Sequence, residues 1–204
     1  MPVTTLKTAE LATLPGKELE RVSLNINPGG WAVEPHKPIA TLLGSCVAVC
    51  LFDPILHIGG MNHFLLPSHS NSKHGDTDVV LSGDFAMEIL LNALINKGAQ
   101  KKRLVAKAFG GGNIVSSIRM AIGDRNASFA REWLDTEGIP LIGQDLGGPW
   151  SRKVVFLPGN GDVWCRRIAS SQTDAHQALA AEAAYEQTLV RPAAPAAGKK
   201  IELF

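Results

Sequence analysis

Cysteine is scarce in this chain, three residues in 204, and an odd number in a chain of ordinary size does not suggest a disulfide framework. An excess of charge of one sign is also missing. Lys plus Arg total 20 against 19 for Asp plus Glu, which leaves no strong field to favour nucleic acid or an anionic bilayer. No apolar run approaches the roughly 18 residues needed to span a membrane. The N-terminal stretch carries Lys7, Glu10, Lys17, Glu18, Glu20 and Arg21 where a signal peptide would be apolar. The expectation is a soluble cytoplasmic protein with no nucleic-acid partner and no membrane insertion. Nucleotide-loop patterns are absent too: there is no GxxxxGK[ST] and no GxGxxG. The run Gly110-Gly111-Gly112 therefore reads as a strand-to-loop turn that needs positive φ or tight packing.

What is present divides into three parts. Residues 1–30, punctuated by Pro15, Pro28 and Gly29-Gly30, read as a loosely attached variable leader. Residues 31–168 read as one domain, and residues 169–204 as an Ala/Pro-rich, flexible C-terminal extension in which DAHQALAAEAAYEQTL favours a helix. Within the domain, strands are expected at Trp31–Val33 and Ile39–Leu43, followed by a Cys/His hairpin and a polar loop over 68–80. LSGDFAMEILLNALINKG reads as a helix with Ser82 as N-cap and Gly98 as its stop. RLVAKAF is a strand, a second helix runs from about Asn126 to Glu137 before Gly138, and IPLIGQDL is a further strand. SRKVVFLP and DVWCRRI form a second hairpin through GNG. The fold class is α/β: a mixed, layered sandwich with antiparallel hairpins rather than a doubly wound parallel sheet.

The first hairpin carries the chemistry. Cys46 lies in TLLGSCVAVCLFD and His63 in HIGGMNHFLLP, with Asp53-Pro54-Ile55-Leu56 midway between them. A turn centred between Pro54 and Ile55 pairs residues whose numbers sum to 109, setting Cys46 opposite His63, Ala48 opposite Met61 and Cys50 opposite Gly59. Directly opposed residues have Cβ atoms about 4.5–5.5 Å apart on one face, within reach of a Cys–His contact. A three-residue loop would instead pair Cys46 with Phe64 and turn His63 to the other face. Alone, Cys46 reads as a core thiol and His63 as a structural histidine; in matched register they read as nucleophile and base. A metal fits less well. Cys46 and Cys50 on one strand lie well over ~10 Å apart, and His69 and His74 fall in the polar loop, so neither metal nor organic cofactor is expected.

The segments TLLGSCVAVCLFD, GGMNHFLLP, KAFGGGN, IGDRN and QDLGG…RKVVF…GDVWCRR occur in an order that resembles the CheD family of chemoreceptor glutamine deamidases, over residues 31–168. The resemblance implies a layered α/β fold and hydrolysis of glutamine side chains on methyl-accepting chemotaxis receptors to glutamate. It also implies CheC as a further partner. By motif position it implies Cys46 as nucleophile, His63 as the catalytic histidine and Thr41 as third catalytic residue. Thr41 and Cys46 are an odd number of positions apart, so a bulge at Gly44 would have to bring them to one face. The backbone of Gly44, Ser45 and Cys46 is the expected oxyanion donor, with Ser45 either part of it or only a turn residue. An adjacent imidazolium is expected to raise the thiolate fraction of Cys46. The site should open as a shallow groove that admits a receptor helix. The competing readings are a non-catalytic chemotaxis adaptor that binds receptors or CheC, and a thiol enzyme that joins chains.

Overall fold

The computed structural model describes residues 8–66, 75–114, 120–169, 171 and 173–190. Two short helices, α1 (Thr8–Ala12) and α2 (Gly16–Val22), precede the strands β1 (Leu24–Asn25), β2 (Trp31–Glu34), β3 (Ile39–Leu43), β4 (Val47–Asp53) and β5 (Ile58–Asn62). Helix α3 (Gly75–Asn96), a 3-10 turn (Lys101–Arg103), β6 (Val105–Gly110), α4 (Met120–Thr136), β7 (Leu141–Leu146), β8 (Trp150–Leu157), β9 (Asp162–Ala169) and α5 (Thr173–Val190) follow. The strands form two sheets, in the orders β1-β3-β8-β9 and β2-β5-β4-β6-β7.

Strand β4 explains the layering. Val47, Val49 and Leu51 point to one side and pack with Met87, Leu90, Trp133 and Leu134 of α3 and α4. Ala48 and Cys50 point to the other and pack with Ile39, Leu43, Val154 and Phe156 of the facing sheet. A strand buried on both faces has no polar alternation, so it reads as one apolar run. Outside the first sheet, Leu11 and Leu19 of α1 and α2 close over Ala40, Val155 and Leu157. The result is a mixed α/β sandwich of helices, sheet, sheet and helices.

Several boundaries differ from the expectation. Helix α3 begins at Gly75, so Ser82 lies inside it and is not its N-cap, and the polar loop placed at 68–80 is helix from 75 onward. His69 lies outside the described residues, as does His74. Helix α4 begins at Met120 rather than near Asn126. Both C-terminal stops are as expected: Gly98 and Gly138 have φ of 95° and 66°. Leu11 and Leu19 of the leader are buried, and β1 pairs with β3. Within the extension read as flexible, α5 lies against β3, β8 and β9 with Ala175 and Ala178 buried.

The β4–β5 register also differs. Cys50 faces Met61, Phe52 faces Gly59 and Asp53 faces Ile58, so paired numbers sum to 111. The cause is a longer turn. Asp53 Oδ1 accepts the N–H groups of Ile55 and Leu56 at 3.0 and 3.1 Å, and His57 closes the loop at φ 54° while donating its N–H to the Asp53 carbonyl. The same carboxylate takes Arg103 through Nε and Nη2 and the Gln100 N–H. Burial alone would raise the Asp53 carboxyl, but Arg103 and the three N–H groups bring it down to about 2. An acid depressed in the fold stabilises above its unfolded value, and that contribution fades as pH falls from about 4 toward 2. Arg103→Ala is expected to cost about 3 kcal/mol at neutral pH and to flatten the acid limb of the stability profile; urea titrations across pH check both.

Candidate active site

A shift of two residues in register preserves side-chain parity, so Cys46 and His63 remain on the same face although they no longer stand directly opposite. That face is the one between the sheets, shared with Ala48, Cys50, Met61 and Leu65. Pairing of β4 with β5 is interrupted just here. The Val49 N–H turns to Asn62 Oδ1, while the His63 N–H and carbonyl pair with the Gly30 carbonyl and Gly29 N–H at 2.9 and 2.8 Å. Held by this second pairing, His63 reaches across the sandwich to β3.

There His63 Nδ1 lies 2.7 Å from Thr41 Oγ1, and Thr41 donates its hydroxyl to the Ile26 carbonyl at 2.8 Å. Because that single hydroxyl proton is committed to Ile26, the bonding network assigns Nδ1 as the donor to Thr41. Nε2 is then a bare lone pair, buried and without a hydrogen-bond partner among the described residues. The parity problem between Thr41 and Cys46 disappears for a reason unlike the expected bulge: Gly44-Ser45-Cys46 is the crossing from one sheet to the other, between the end of β3 and the start of β4.

Every carbonyl of that crossing is held from behind. Gly112 N–H donates to the Gly44 carbonyl, Gly111 N–H to that of Cys46, and Asn126 Nδ2 of α4 to that of Ser45, each at 2.8 Å. The triple glycine therefore has a structural task. Gly110 and Gly111 have φ of 113° and 63°, and a Cβ on Gly110 would collide with the Cys46 carbonyl oxygen. With the carbonyls turned away, the N–H groups of Gly44, Ser45 and Cys46 all point to the same side, which is the geometry of an anion-binding nest.

The nest is filled by a residue that sequence reasoning missed. Glu182 of α5 accepts Gly44 N–H and Cys46 N–H on Oε1 at 2.7 and 2.9 Å, and Ser45 N–H and Ser45 Oγ on Oε2, both at 2.8 Å. A ligand atom of Cys46, one of His63 and one of Glu182 lie within 4.8 Å of one another. Thiol, imidazole and carboxylate would suit zinc by type. Glu182, however, already accepts four hydrogen bonds, which fills the lone pairs a metal would need.

Cys46 and His63 are both almost wholly shielded from solvent, so among the described residues no open groove lies above the thiol; α5 brings Glu182 over it. A cleft of ≈ 240 Å³ does lie beside His63, lined by Trp31, Asn62, Phe85, Ile89, Tyr185 and Leu189 among others. Burial pushes the Cys46 thiol well up, with Glu182 and Glu186 adding to it, and burial draws His63 down to about 4 against the pull of Glu182. The resting pair is therefore thiol and neutral imidazole, not the expected thiolate beside an imidazolium.

Comparison with known proteins identifies the family. The family model described as CheD chemotactic sensory transduction matches residues 65–167, beginning just past His63. A Dechloromonas aromatica protein named "Probable chemoreceptor glutamine deamidase CheD 2" is 53% identical over 197 residues, 96% of this chain and 100% of its own length. A Burkholderia thailandensis protein of the same name is 43% identical over 190 residues, 92% of this chain and 96% of its own. "Probable chemoreceptor glutamine deamidase CheD 1" of Shewanella oneidensis is 45% identical over 155 residues, covering 74% and 75%. With a family match over half its length and relatives aligned nearly end to end, this chain belongs to the CheD family.

Proposed function

We propose that the protein deamidates glutamine side chains on the cytoplasmic helices of methyl-accepting chemotaxis receptors, giving glutamate and ammonia through a thioester on Cys46. The catalytic unit is residues 31–168, with Cys46, His63 and Thr41 in its site. Among the described residues no helix is long and apolar enough to cross a membrane, and a cytoplasmic location fits such a substrate. CheC is a further partner on the same family grounds. The observation that carries the reading is the His63 ring, its Nε2 unpartnered among the described residues and one of its nitrogens within 4.8 Å of the Cys46 sulfur, at a cradle of three N–H groups.

A carboxamide resists hydrolysis because nitrogen donates into the carbonyl and leaves poorly unless protonated. His63 Nε2 takes the Cys46 proton as sulfur adds to the glutamine Cδ. The N–H groups of the Gly44–Cys46 crossing receive the charge that develops on oxygen, already oriented by the carbonyl bonds behind them. His63 then delivers its proton to nitrogen, the C–N bond breaks and ammonia departs. Water, deprotonated by His63, adds to the thioester, the C–S bond breaks, and sulfur recovers the proton. Incubation with receptor cytoplasmic domains followed by site-resolved mass spectrometry tests the reading: glutamine-to-glutamate conversion is expected at discrete helix positions. Chains joined by isopeptide bonds, or no modification at all, would count against it.

Thr41 is a positioning residue in this scheme, since it fixes the ring and its tautomer. Thr41→Val should lower kcat about 10–100-fold, as loss of an orienting partner does elsewhere, with KM nearly unchanged. Thr41→Ser, which keeps the hydroxyl, should retain most activity; equal losses in the two variants would assign Thr41 to packing alone.

A further inference from the structure

Helix α5 shows one face to the site. Ala175, Ala178, Glu182 and Tyr185 recur at steps of three and four, which aligns them along a single helical stripe. The two alanines are buried and let the helix backbone sit close. Tyr185 packs against the inter-sheet core and over Gly29. Glu182 is 3% exposed and delivers its carboxylate to the N–H groups of Gly44, Ser45 and Cys46.

We propose that α5 is an intramolecular copy of the product: a helix-borne glutamate docked in the deamidation site, closing the enzyme until a receptor helix displaces it. This rests on the deamidase reading above. Glutamate is what deamidation leaves behind, and here it is carried on a helix, as the receptor's glutamine would be. The nest donates N–H to both carboxylate oxygens. A carboxamide in the same pose would turn its NH2 toward a donor, at Ser45 or at Gly44 and Cys46, so the cradle holds acid better than amide. The cover also accounts for the idle pair. Burial, the first cause of the raised Cys46 thiol and of the lowered His63, comes in part from α5, and Glu182 and Glu186, which raise the thiol further, stand on it. A substrate helix has to compete with a tethered one, so closure appears as weaker apparent substrate binding, by the fraction of time the site is open.

The test uses the full chain in wild-type form and as Glu182→Ala, Glu182→Gln and Ala178→Arg, the last dislodging α5 from outside the nest. Two readouts are taken: the rate of Cys46 alkylation by iodoacetamide, and deamidation of a receptor cytoplasmic domain. Glu182→Ala and Ala178→Arg are expected to raise the alkylation rate about tenfold or more and to lower KM to a similar degree with kcat little changed. In Glu182→Gln, the amide at position 182 should be converted to acid, and should persist when Cys46→Ala is added. The proposal is overturned if Cys46 is alkylated no faster in either opened variant with a native far-UV spectrum, or if the amide at 182 persists in an enzyme that deamidates receptor. It is equally overturned if both variants lose receptor activity, which would make α5 a part of the working site. Faster alkylation with no receptor deamidation by any form would keep the cover and remove the deamidase reading.

Discussion

Cys46→Ala should abolish ammonia release from purified receptor domains, a fall of at least about 10⁴-fold, as removing a nucleophile does where the rest of the site cannot substitute for it. The fold should survive, because trading a buried thiol for a methyl leaves only a small cavity, costing on the order of 1 kcal/mol. The other two cysteines provide the control. Cys50, displaced along β4, is held as a thiol by burial, and Cys165 is raised to about 11 by burial and by Asp145 beside it. Among the described residues, the thiol clustered with His63 and Glu182 is that of Cys46. Cys50→Ala and Cys165→Ala should therefore retain turnover, and receptor trapped at low temperature should carry its acyl adduct on Cys46 alone. Normal turnover by Cys46→Ala, or an adduct on another thiol, would refute the covalent route.

The hairpin shows what periodicity can and cannot supply. Alternation along TLLGSCVAVCLFD and HIGGMNHFLLP specifies which residues share a face, and a register shift of two leaves that answer intact. The turn length depends on tertiary contacts. Asp53 bonds Arg103 and Gln100, nearly fifty residues away, and it is this partnership together with His57 at positive φ that lengthens the loop. Helix ends failed similarly: Ser82 is a good cap by composition, yet the helix continues through it to Gly75, since local capping preference is a weak prior against tertiary context.

Cys46 and His63 were legible as a pair because each lies beside a patterned strand, whereas Thr41 entered only through the family resemblance, against the parity of its strand. Asn126 and Glu182 were not legible. Asn126 looks like one polar residue on a helix, and only its bonds to the Ser45 carbonyl and the Leu66 N–H reveal what it holds. Glu182 sits in an Ala-rich stretch whose composition suggests a solvated tail. Its one sequence signal is an acid aligned with Ala175 and Ala178 on the small-residue stripe, a pattern that gains meaning only once a nest of N–H groups is known to face it. Backbone donors leave no trace in residue identity. The glycines behind them do: the run was read as needing positive φ or tight packing, and Gly110 and Gly111 have positive φ, Gly110 with tight packing as well.

His63→Ala is expected to lower kcat/KM by about 10²–10⁴-fold, the usual contribution of a positioned proton carrier. The remaining activity should have a distinctive pH dependence. With no imidazole to take the Cys46 proton, attack requires free thiolate, so the residual rate should climb about tenfold per pH unit below the thiol's raised value; the wild-type rate should be far flatter over the same range. Stability offers a second, independent measurement. Burial lowers His63 from 6.5 to about 4, so between those values the unfolded chain binds a proton that the folded chain refuses. Stability then falls as pH drops from 6.5 toward 4. His63→Gln should remove that slope and leave the Asp53 limb, lower on the pH scale, in place. A retained slope would place another buried base in the fold. Retained activity with a shifted pH optimum would place another base in the site.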